Sequence, residues 1–120
     1  MIKILKINNI NNIVIVNRRP FFFNAISLKE LTKNKKIDLN SLSYGMNDNQ
    51  IIKINKKLAE LSDLERLKYL NLFNIICDEN NKSCNIINKK FEILFIDNDH
   101  FSLAGSNFFS DKIIKELNLE

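Results

Sequence analysis

Asp97 and His100 have the side chains and the separation of an acid–base pair. They follow an apolar, strand-like segment, Ile93 to Ile96, and precede an amphipathic helix predicted from about Leu103 to Leu117. His100 is the only histidine in the sequence. A carboxylate three residues before a histidine can accept a hydrogen bond from one ring nitrogen, which fixes the tautomer and leaves the other nitrogen free to take a proton from a nucleophile. The spacing therefore predicts half of a hydrolytic site.

The expected geometry follows from the predicted elements around the pair. We expect Asp97 and His100 between a final strand, Glu92 to Ile96, and the final helix, at the carboxyl edge of the sheet where open α/β folds place their sites. The carboxylate should lie within about 2.6–3.2 Å of one ring nitrogen, with the other nitrogen facing an open cleft. Asp99 is expected to point to solvent.

The same residues also allow a purely structural interpretation. Ser102 is a good N-cap for the final helix, and Asp97 and Asp99 are common polar turn residues. A single histidine at a helix entrance is often structural. In that case His100 would be buried or turned outward, and Asp97 would cap the helix.

The order of Asp97, His100, Ser102 and Gly105 resembles the last conserved block of the SGNH hydrolase fold, in which D-x-x-H is followed by an apolar residue and S-x-x-G-[AS]. This form is similar to the SGNH domain at the C-terminus of membrane acyltransferases of the acyltransferase-3 (AT3) type, which O-acylate, often O-acetylate, cell-envelope glycans. The resemblance implies that His100 is the general base and Asp97 its orienting partner.

The resemblance further implies an acyl donor and a glycan acceptor as substrates, and a membrane acyltransferase domain as partner within the parent protein. It implies an extracytoplasmic location, and neither a cofactor nor a metal. The sequence itself shows no export signal, since its first residues have neither an uninterrupted apolar core nor a small-residue cleavage site.

Cys77 and Cys84 bracket a short polar loop, D-E-N-N-K-S. With one distant histidine they make a poor zinc site, because too few ligands converge. In an oxidising compartment they would close a small loop, worth about 2–3 kcal/mol, whereas in the cytosol they would be ordinary thiols. The AT3-type SGNH domains resemble this chain in having a cysteine pair shortly before the D-x-x-H, which implies a disulfide here.

The β-branched run Ile13 to Val16 predicts a strand buried on both faces, as in a parallel sheet. The N-R-R-P that follows would end this strand. Of the next residues, Phe21 to Leu31, the three phenylalanines are predicted to lie in the core, and the remainder fit a helical face only loosely. The pattern L-K-Y-L predicts a short strand at about Leu67 to Leu70, in agreement with the resemblance.

Two polar patterns in the middle of the chain have competing interpretations. Gly45 to Asp48, G-x-N-D, has the form of the third conserved SGNH block, but Asn47 or Asp48 as N-cap of a helix from Asn49 to Leu61 is the preferred prediction. Ser62 and Glu65 form a capping-box pattern that would instead begin a new helix.

The composition excludes several functional classes. No apolar run approaches the roughly 18 residues of a membrane-spanning helix. The net charge is +4, but 15 of the 18 basic residues are lysines dispersed along the chain, which does not favour nucleic-acid binding. The 120 residues suit one domain with a modest core.

A nucleophile is missing from the pattern, because no serine in the sequence follows Gly-Asp. The resemblance extends over about Asn12 to Leu119. It implies an α/β fold, the C-terminal portion of a three-layer α/β/α (flavodoxin-like) SGNH domain with a parallel sheet, and residues 1–120 form this single partial domain. We therefore expect a truncated SGNH domain of a cell-envelope glycan O-acyltransferase that carries the Asp and His of a triad without the Ser. The alternative is a small non-catalytic protein that retains the fold.

Overall fold

The computed structural model describes residues 2–8, 10, 12–23, 30, 33 and 36–117. In chain order the helices and strands described are α1 (Ile2–Ile7), β1 (Val14–Val16), α2 (Leu39–Gly45), α3 (Asn49–Glu65), β2 (Lys68–Leu70), α4 (Leu72–Ile76), β3 (Cys77–Asp78), β4 (Ser83–Cys84) and α5 (Leu103–Leu117). None of these helices has both the length and the apolar character needed to cross a membrane.

Strands β1 and β2 form a parallel pair, as the sequence predicted. Val14 lies opposite Lys68, and Val16 lies opposite Leu70. β-branched and aromatic side chains favour this extended backbone because they pack well on a pleated surface. The pairing continues one residue past β1, where the Asn17 N–H donates to the Leu70 carbonyl at 3.1 Å. The chain is therefore a mixed α/β structure with a parallel two-stranded sheet.

The prediction that β1 is buried on both faces is wrong. Val14 is 37% exposed and Val16 48% exposed, whereas Ile15, which points the other way, is half-buried. Alternate residues of a strand face opposite sides of the sheet, so one whole face of β1 is open. Val14 and Val16 border a cavity that is also lined by Leu117 at the end of α5, and the full three-layer arrangement stays a prediction.

Helix α3 does not end at Leu61 as predicted. It continues to Glu65, so that Ser62 and Glu65, the capping-box pattern, lie inside it. The Asp48 carboxylate accepts a hydrogen bond from the Gln50 N–H at 2.9 Å, which confirms the predicted cap. At the other end Ser62 is buried, and its hydroxyl donates to the Leu67 carbonyl at 2.9 Å. Ser62 thus stabilises the end of α3 rather than the start of a new helix.

The predicted strand from Glu92 to Ile96 is not a regular strand. It makes two isolated antiparallel bridges, Ile87 with Ile93 and Phe95 with Phe101. The Leu94 N–H donates to Ile86 at 2.8 Å, and the Leu94 carbonyl accepts from Ser102 at 3.0 Å. Each neighbouring segment meets this stretch at only one or two residues, which is too few for a continuous ladder.

An aromatic cluster forms the part of the core beneath α5. Phe95 and Phe109 are 2% and 0% exposed, and both contact Phe101 with ring centroids 5.4 and 4.9 Å away. The buried positions of α5 are Gly105 and Phe109. The predicted inward face (Phe108, Ile113, Ile114 and Leu117) was therefore partly wrong, since Phe108 and Ile113 are only half-buried and Ile114 is 39% exposed.

The core prediction for the three phenylalanines holds fully for Phe22 and in part for Phe21, which is half-buried and packs against the core. Phe22 is fully buried and its ring meets Phe95 edge-on at 5.1 Å, whereas Phe23 is 50% exposed. Residues 24–29 and 31, which complete that predicted segment, lie outside the described residues.

Candidate functional site

Residues 97–100 form a tight turn between the extended segment 93–96 and α5, and we call this turn the acid–base corner. The Ile96 N–H donates to the His100 carbonyl at 2.9 Å, which closes the turn. The Phe95–Phe101 bridge lies directly beneath it. The predicted position of Asp97 and His100 ahead of the final helix is confirmed, although the preceding segment is not a strand.

Asp97 organises the corner through its carboxylate. Oδ1 accepts hydrogen bonds from the main-chain N–H groups of Asp99 at 3.0 Å and His100 at 2.8 Å. Oδ2 lies 2.8 Å from Nδ1 of His100. The two backbone donors, more than the imidazole, lower the pKa of Asp97 to about 2. Because hydrogen bonds to the ionised form favour it, Asp97 is a carboxylate throughout the neutral range.

His100 therefore has the predicted hydrogen bond to Asp97. Its side chain is 59% exposed, at the surface of the corner. A ring whose Nδ1 faces a carboxylate carries its proton on that nitrogen, which leaves the Nε2 lone pair for proton exchange with a bound group. The open cleft beside the second ring nitrogen stays a prediction.

The expectation that Asp99 points to solvent is wrong. Its Oδ1 lies 3.1 Å from Nδ1 of His100, and its Oδ2 lies 3.9 Å from Nε of Arg19. The Asp99 side chain is only 22% exposed. Arg19 explains this orientation, because it offers Asp99 a cationic partner on the protein side of the turn.

Arg19 is a residue of this corner that the sequence reasoning did not single out. It follows β1 in N-R-R-P, a pattern that by itself predicts only the end of a strand. In the structure its guanidinium lies 5.8 Å from the Phe101 ring centroid, which places it against the aromatic cluster and beside Asp99. Its position shortly after the end of a parallel strand, with Asn17 and Arg18 between them, was the signal available in the sequence, because such ends carry functional residues in open α/β folds.

Ser102 and Gly105, the remaining residues of the conserved-block pattern, hold the corner to α5. The Ser102 hydroxyl donates to the Ile93 carbonyl at 2.7 Å and accepts from the Gly105 N–H at 3.0 Å, as an N-cap does. Gly105 is buried, and a Cβ there would overlap the Leu94 carbonyl oxygen. The predicted close packing at Gly105 is confirmed, and Ser102 has a structural role.

Gly45 to Asp48, the pattern similar to the third SGNH block, lies close to the corner but is occupied by structural contacts. Asn47 is 6% exposed, and its side-chain oxygen accepts from the Phe21 N–H at 3.1 Å. The adjacent Phe22 N–H donates to the carbonyl of Asn98 at 2.8 Å. Hydrogen bonds thus connect Asn47 to the corner through Phe21 and Phe22. The Asn47 side-chain oxygen is already engaged by the Phe21 N–H.

Cys77 and Cys84 are joined by a disulfide across the β3–β4 hairpin, where they lie opposite each other. Both are almost fully buried. From Cys84 the chain continues to Ile86, whose N–H is bound by the Asn40 side chain at 2.9 Å and whose carbonyl accepts from Leu94. The disulfide therefore anchors the chain around Ile86, which is hydrogen-bonded to the segment 93–96 that leads into the acid–base corner.

Asp97, Asp99 and His100 are also the residues at the corner that could ligate a metal ion, since one ligand atom from each lies within 4.8 Å of the others. Their proximity is equally explained by the hydrogen bonds and ion pair that they form with one another. The geometry by itself thus gives an acid–base pair on an exposed turn.

Over residues 2–115 the chain matches the family described as the SGNH domain fused to AT3 domains. Comparison with curated proteins and with solved structures gives no match. The matched region includes the corner, the cysteine pair and both strands of the parallel sheet.

Proposed function

This chain belongs to the SGNH domains that are fused to AT3 domains, and we propose that it supplies the Asp and His of an acyl-transfer or ester-hydrolysis site. In this proposal His100 is the general base and Asp97 is the residue that orients it. The observation that carries the proposal is the 2.8 Å contact between Asp97 Oδ2 and His100 Nδ1, in a turn that keeps Asp97 ionised.

The chemistry requires a nucleophile that this sequence does not carry in the expected context. Since no serine follows Gly-Asp, we place the nucleophile on a part of the parent protein outside these residues. His100 would take the proton of that serine as it attacks the acyl carbonyl, and return it to the leaving group. Asp97 would remain ionised and stabilise the imidazolium that forms.

The acyl group, by this proposal, passes to or from a hydroxyl of a cell-envelope glycan on the extracytoplasmic side of the membrane. The AT3 domain of the parent protein would be the membrane partner of this domain. The buried Cys77–Cys84 disulfide supports the location, because disulfides persist in oxidising compartments and are rare in the cytosol.

A second candidate is a non-catalytic protein that retains the fold. It is favoured by the lack of a Gly-Asp-Ser and by the structural use of Ser102. The DNA upstream of Met1 separates the two candidates: an in-frame or frameshifted Gly-Asp-Ser preceded by membrane helices supports the acyltransferase.

The decisive test uses the complete reading frame that contains such a segment. O-acetylation of envelope glycans is compared between wild type, His100→Ala and the control Lys112→Ala, which alters an exposed residue of α5. We expect His100→Ala to lower acetylation by at least about 10²-fold, the usual contribution of a general base, and Lys112→Ala to leave it unchanged. Equal acetylation in all three proteins would refute the assignment of His100.

A further inference from the structure

His100 is held by a second carboxylate that comes with its own cationic partner. We propose that Asp99, fixed by Arg19, is a positioning residue that aligns the His100 imidazole relative to the β1–β2 sheet. The inference deepens the proposed function and rests on it, since it assigns to Asp99 and Arg19 a role in presenting the base.

The contacts form a short chain from the imidazole to the aromatic cluster. Asp99 Oδ1 lies 3.1 Å from Nδ1 of His100, and Asp99 Oδ2 lies 3.9 Å from Nε of Arg19. The guanidinium in turn lies 5.8 Å from the centre of the Phe101 ring. Asp99 is 22% exposed and Asp97 52%, so solvent screens the inner carboxylate less.

Arg19 is itself held at a defined place by the segment that leaves β1. The Asn55 side chain of α3 clamps the main chain of Arg18: its oxygen accepts from the Arg18 N–H at 2.7 Å, and its amide donates to the Arg18 carbonyl at 2.8 Å. One residue earlier, Asn17 is 4% exposed and donates to the Asn71 side chain at 2.7 Å. The backbone next to Arg19 is therefore tied to α3 and to the carboxyl ends of both parallel strands.

Asp97 and Asp99 therefore have different roles in orienting the imidazole. Asp97 and His100 lie in one turn, so their hydrogen bond orients the imidazole only relative to its own turn. Asp99 connects the same ring to Arg19, which lies just beyond the carboxyl end of β1, the edge at which open α/β folds bind their substrates. A base must be placed within hydrogen-bond reach of the proton that it abstracts. The Phe22 N–H bond to the Asn98 carbonyl, at 2.8 Å, fixes the turn against the segment that follows β1, and the Asp99–Arg19 contact extends that placement to the imidazole.

The arrangement also favours one tautomer. Nδ1 can donate a single proton; both oxygens of Asp97 are within hydrogen-bond reach of it, and one oxygen of Asp99 places a further negative charge 3.1 Å away. Carboxylates accept but cannot donate, so they stabilise the form with the proton on Nδ1. The positive charge of Arg19 offsets part of the repulsion between two carboxylates that share one imidazole.

The tautomer can be measured directly, because His100 is the only histidine in the chain. Long-range ¹H–¹⁵N correlation spectra of the imidazole are recorded at a pH of about 9, above the ordinary histidine pKa of about 6.5. In the wild-type chain we expect the Nδ1–H form to predominate. Asp99→Ala should lower the ratio of the Nδ1–H to the Nε2–H form roughly twofold or more, because it removes a negative charge that stabilises the N–H dipole on the Nδ1 side of the neutral ring.

Matched variants separate positioning from a general effect on charge or fold. Asp111→Ala removes an exposed carboxylate from the middle of α5 and should leave the ratio unchanged. Arg19→Gln should lower the tautomer ratio by less than Asp99→Ala does. Arg19→Lys, which keeps the positive charge, should leave the ratio close to that of wild type. The amide spectrum of each variant shows whether it is folded, and Arg19→Gln carries the test alone if Asp99→Ala unfolds.

Equal ratios in wild type, Asp99→Ala and Arg19→Gln would overturn the proposal. This outcome is distinct from failure of the proposed function, because the ratio is measured on the chain alone without substrate. Acetylation that is insensitive to His100→Ala in the complete protein would refute the catalytic role and leave the tautomer result intact.

Discussion

The carboxylate of Asp97 binds His100 at two places at once, the main-chain N–H at 2.8 Å and Nδ1 of the ring at 2.8 Å. One side chain therefore sets both the path of the turn and the orientation of the imidazole. Asp97→Ala would remove both effects together. An amide at position 97 would keep an acceptor for the backbone but would add a donor that can face Nδ1, which favours the wrong tautomer.

We expect the purified chain to have no esterase activity on small acetyl esters. It has a base and an orienting carboxylate, but Ser102, the serine nearest to the corner in sequence, already donates to the Ile93 carbonyl. Removing a nucleophile leaves little beyond binding effects. Release of acetate or a chromogenic alcohol measures the activity. Turnover that disappears in His100→Ala would show that one of the chain's serines is a nucleophile after all.

Acidification should loosen the acid–base corner before it unfolds the rest of the chain. The folded pKa of Asp97 is about 2, below its ordinary value of 3.8. A depressed carboxyl pKa contributes stability that is complete above the unfolded value and is lost as pH falls through the folded value. The corner should therefore weaken between pH 3.8 and about 2.

The amide signals of Asp99 and His100 report this transition in a pH titration by NMR. Asp97→Asn should abolish the titration of these two amides, while Asp111→Asn should leave it in place. Local signals are needed because Ser41 also lowers the pKa of Asp38, at the N-cap of α2, and so adds a separate acid-sensitive contribution to global stability. Amides of the corner that shift only with global unfolding would contradict the prediction.

The two glycines of the chain should respond oppositely to alanine. In Gly105→Ala the new methyl group meets the Leu94 carbonyl, and we expect a loss of about 1–3 kcal/mol or more in the free energy of unfolding. In Gly45→Ala the methyl group meets nothing within 4 Å, and the change should be neutral or stabilising by up to about 1 kcal/mol. Urea denaturation of both variants measures the difference, and similar values would show that Leu94 moves away at little cost.

The cysteine pair should be oxidised in protein exported to the periplasm. Mass spectrometry without reduction, after alkylation, should find no free thiol in exported protein. Replacing both cysteines by alanine should lower the free energy of unfolding by about 2–3 kcal/mol, from the added freedom of the unfolded chain. Two alkylated thiols in exported protein would count against the extracytoplasmic location.

The open face of β1 should make the isolated chain poorly soluble. Val14 and Val16 expose an apolar strand surface without charge, the kind of strand that other chains can pair with or cover. Val16→Lys should raise the soluble fraction and the share of monomer in size-exclusion chromatography with light scattering. A wild-type chain that is monomeric and unfolds cooperatively would show that β1 needs no further cover.

Contacts between residues close in sequence were the ones that the sequence predicted. The Asp97–His100 hydrogen bond, the Asp48 cap and the Ser102 cap each span two or three residues. Spacing and side-chain chemistry determine such contacts with little help from the rest of the fold. The two strands were also predictable, because their apolar patterns are short and bounded by polar residues.

The errors arose where distant parts of the chain meet. Asp99 was expected in solvent because a side chain next to the histidine in sequence normally diverges from it, but Arg19, from the other end of the sequence, holds Asp99 on the protein side of the turn. Segment 92–96 has the composition of a strand, but its neighbours are too short to pair with it continuously. The inward face of α5 was misplaced by one residue because the aromatic cluster selects Phe109 over Phe108.

The hydrogen bonds of Asn17, Asn55 and Asn71, which hold the backbone next to Arg19, have a consequence for the order of folding. They join residues 37, 54 and 56 positions apart, whereas the Asp97–His100 bond spans three. Closing longer loops costs more chain entropy and slows the search for native contacts. We therefore expect the turn that holds the imidazole to form before the contacts that align it with the sheet.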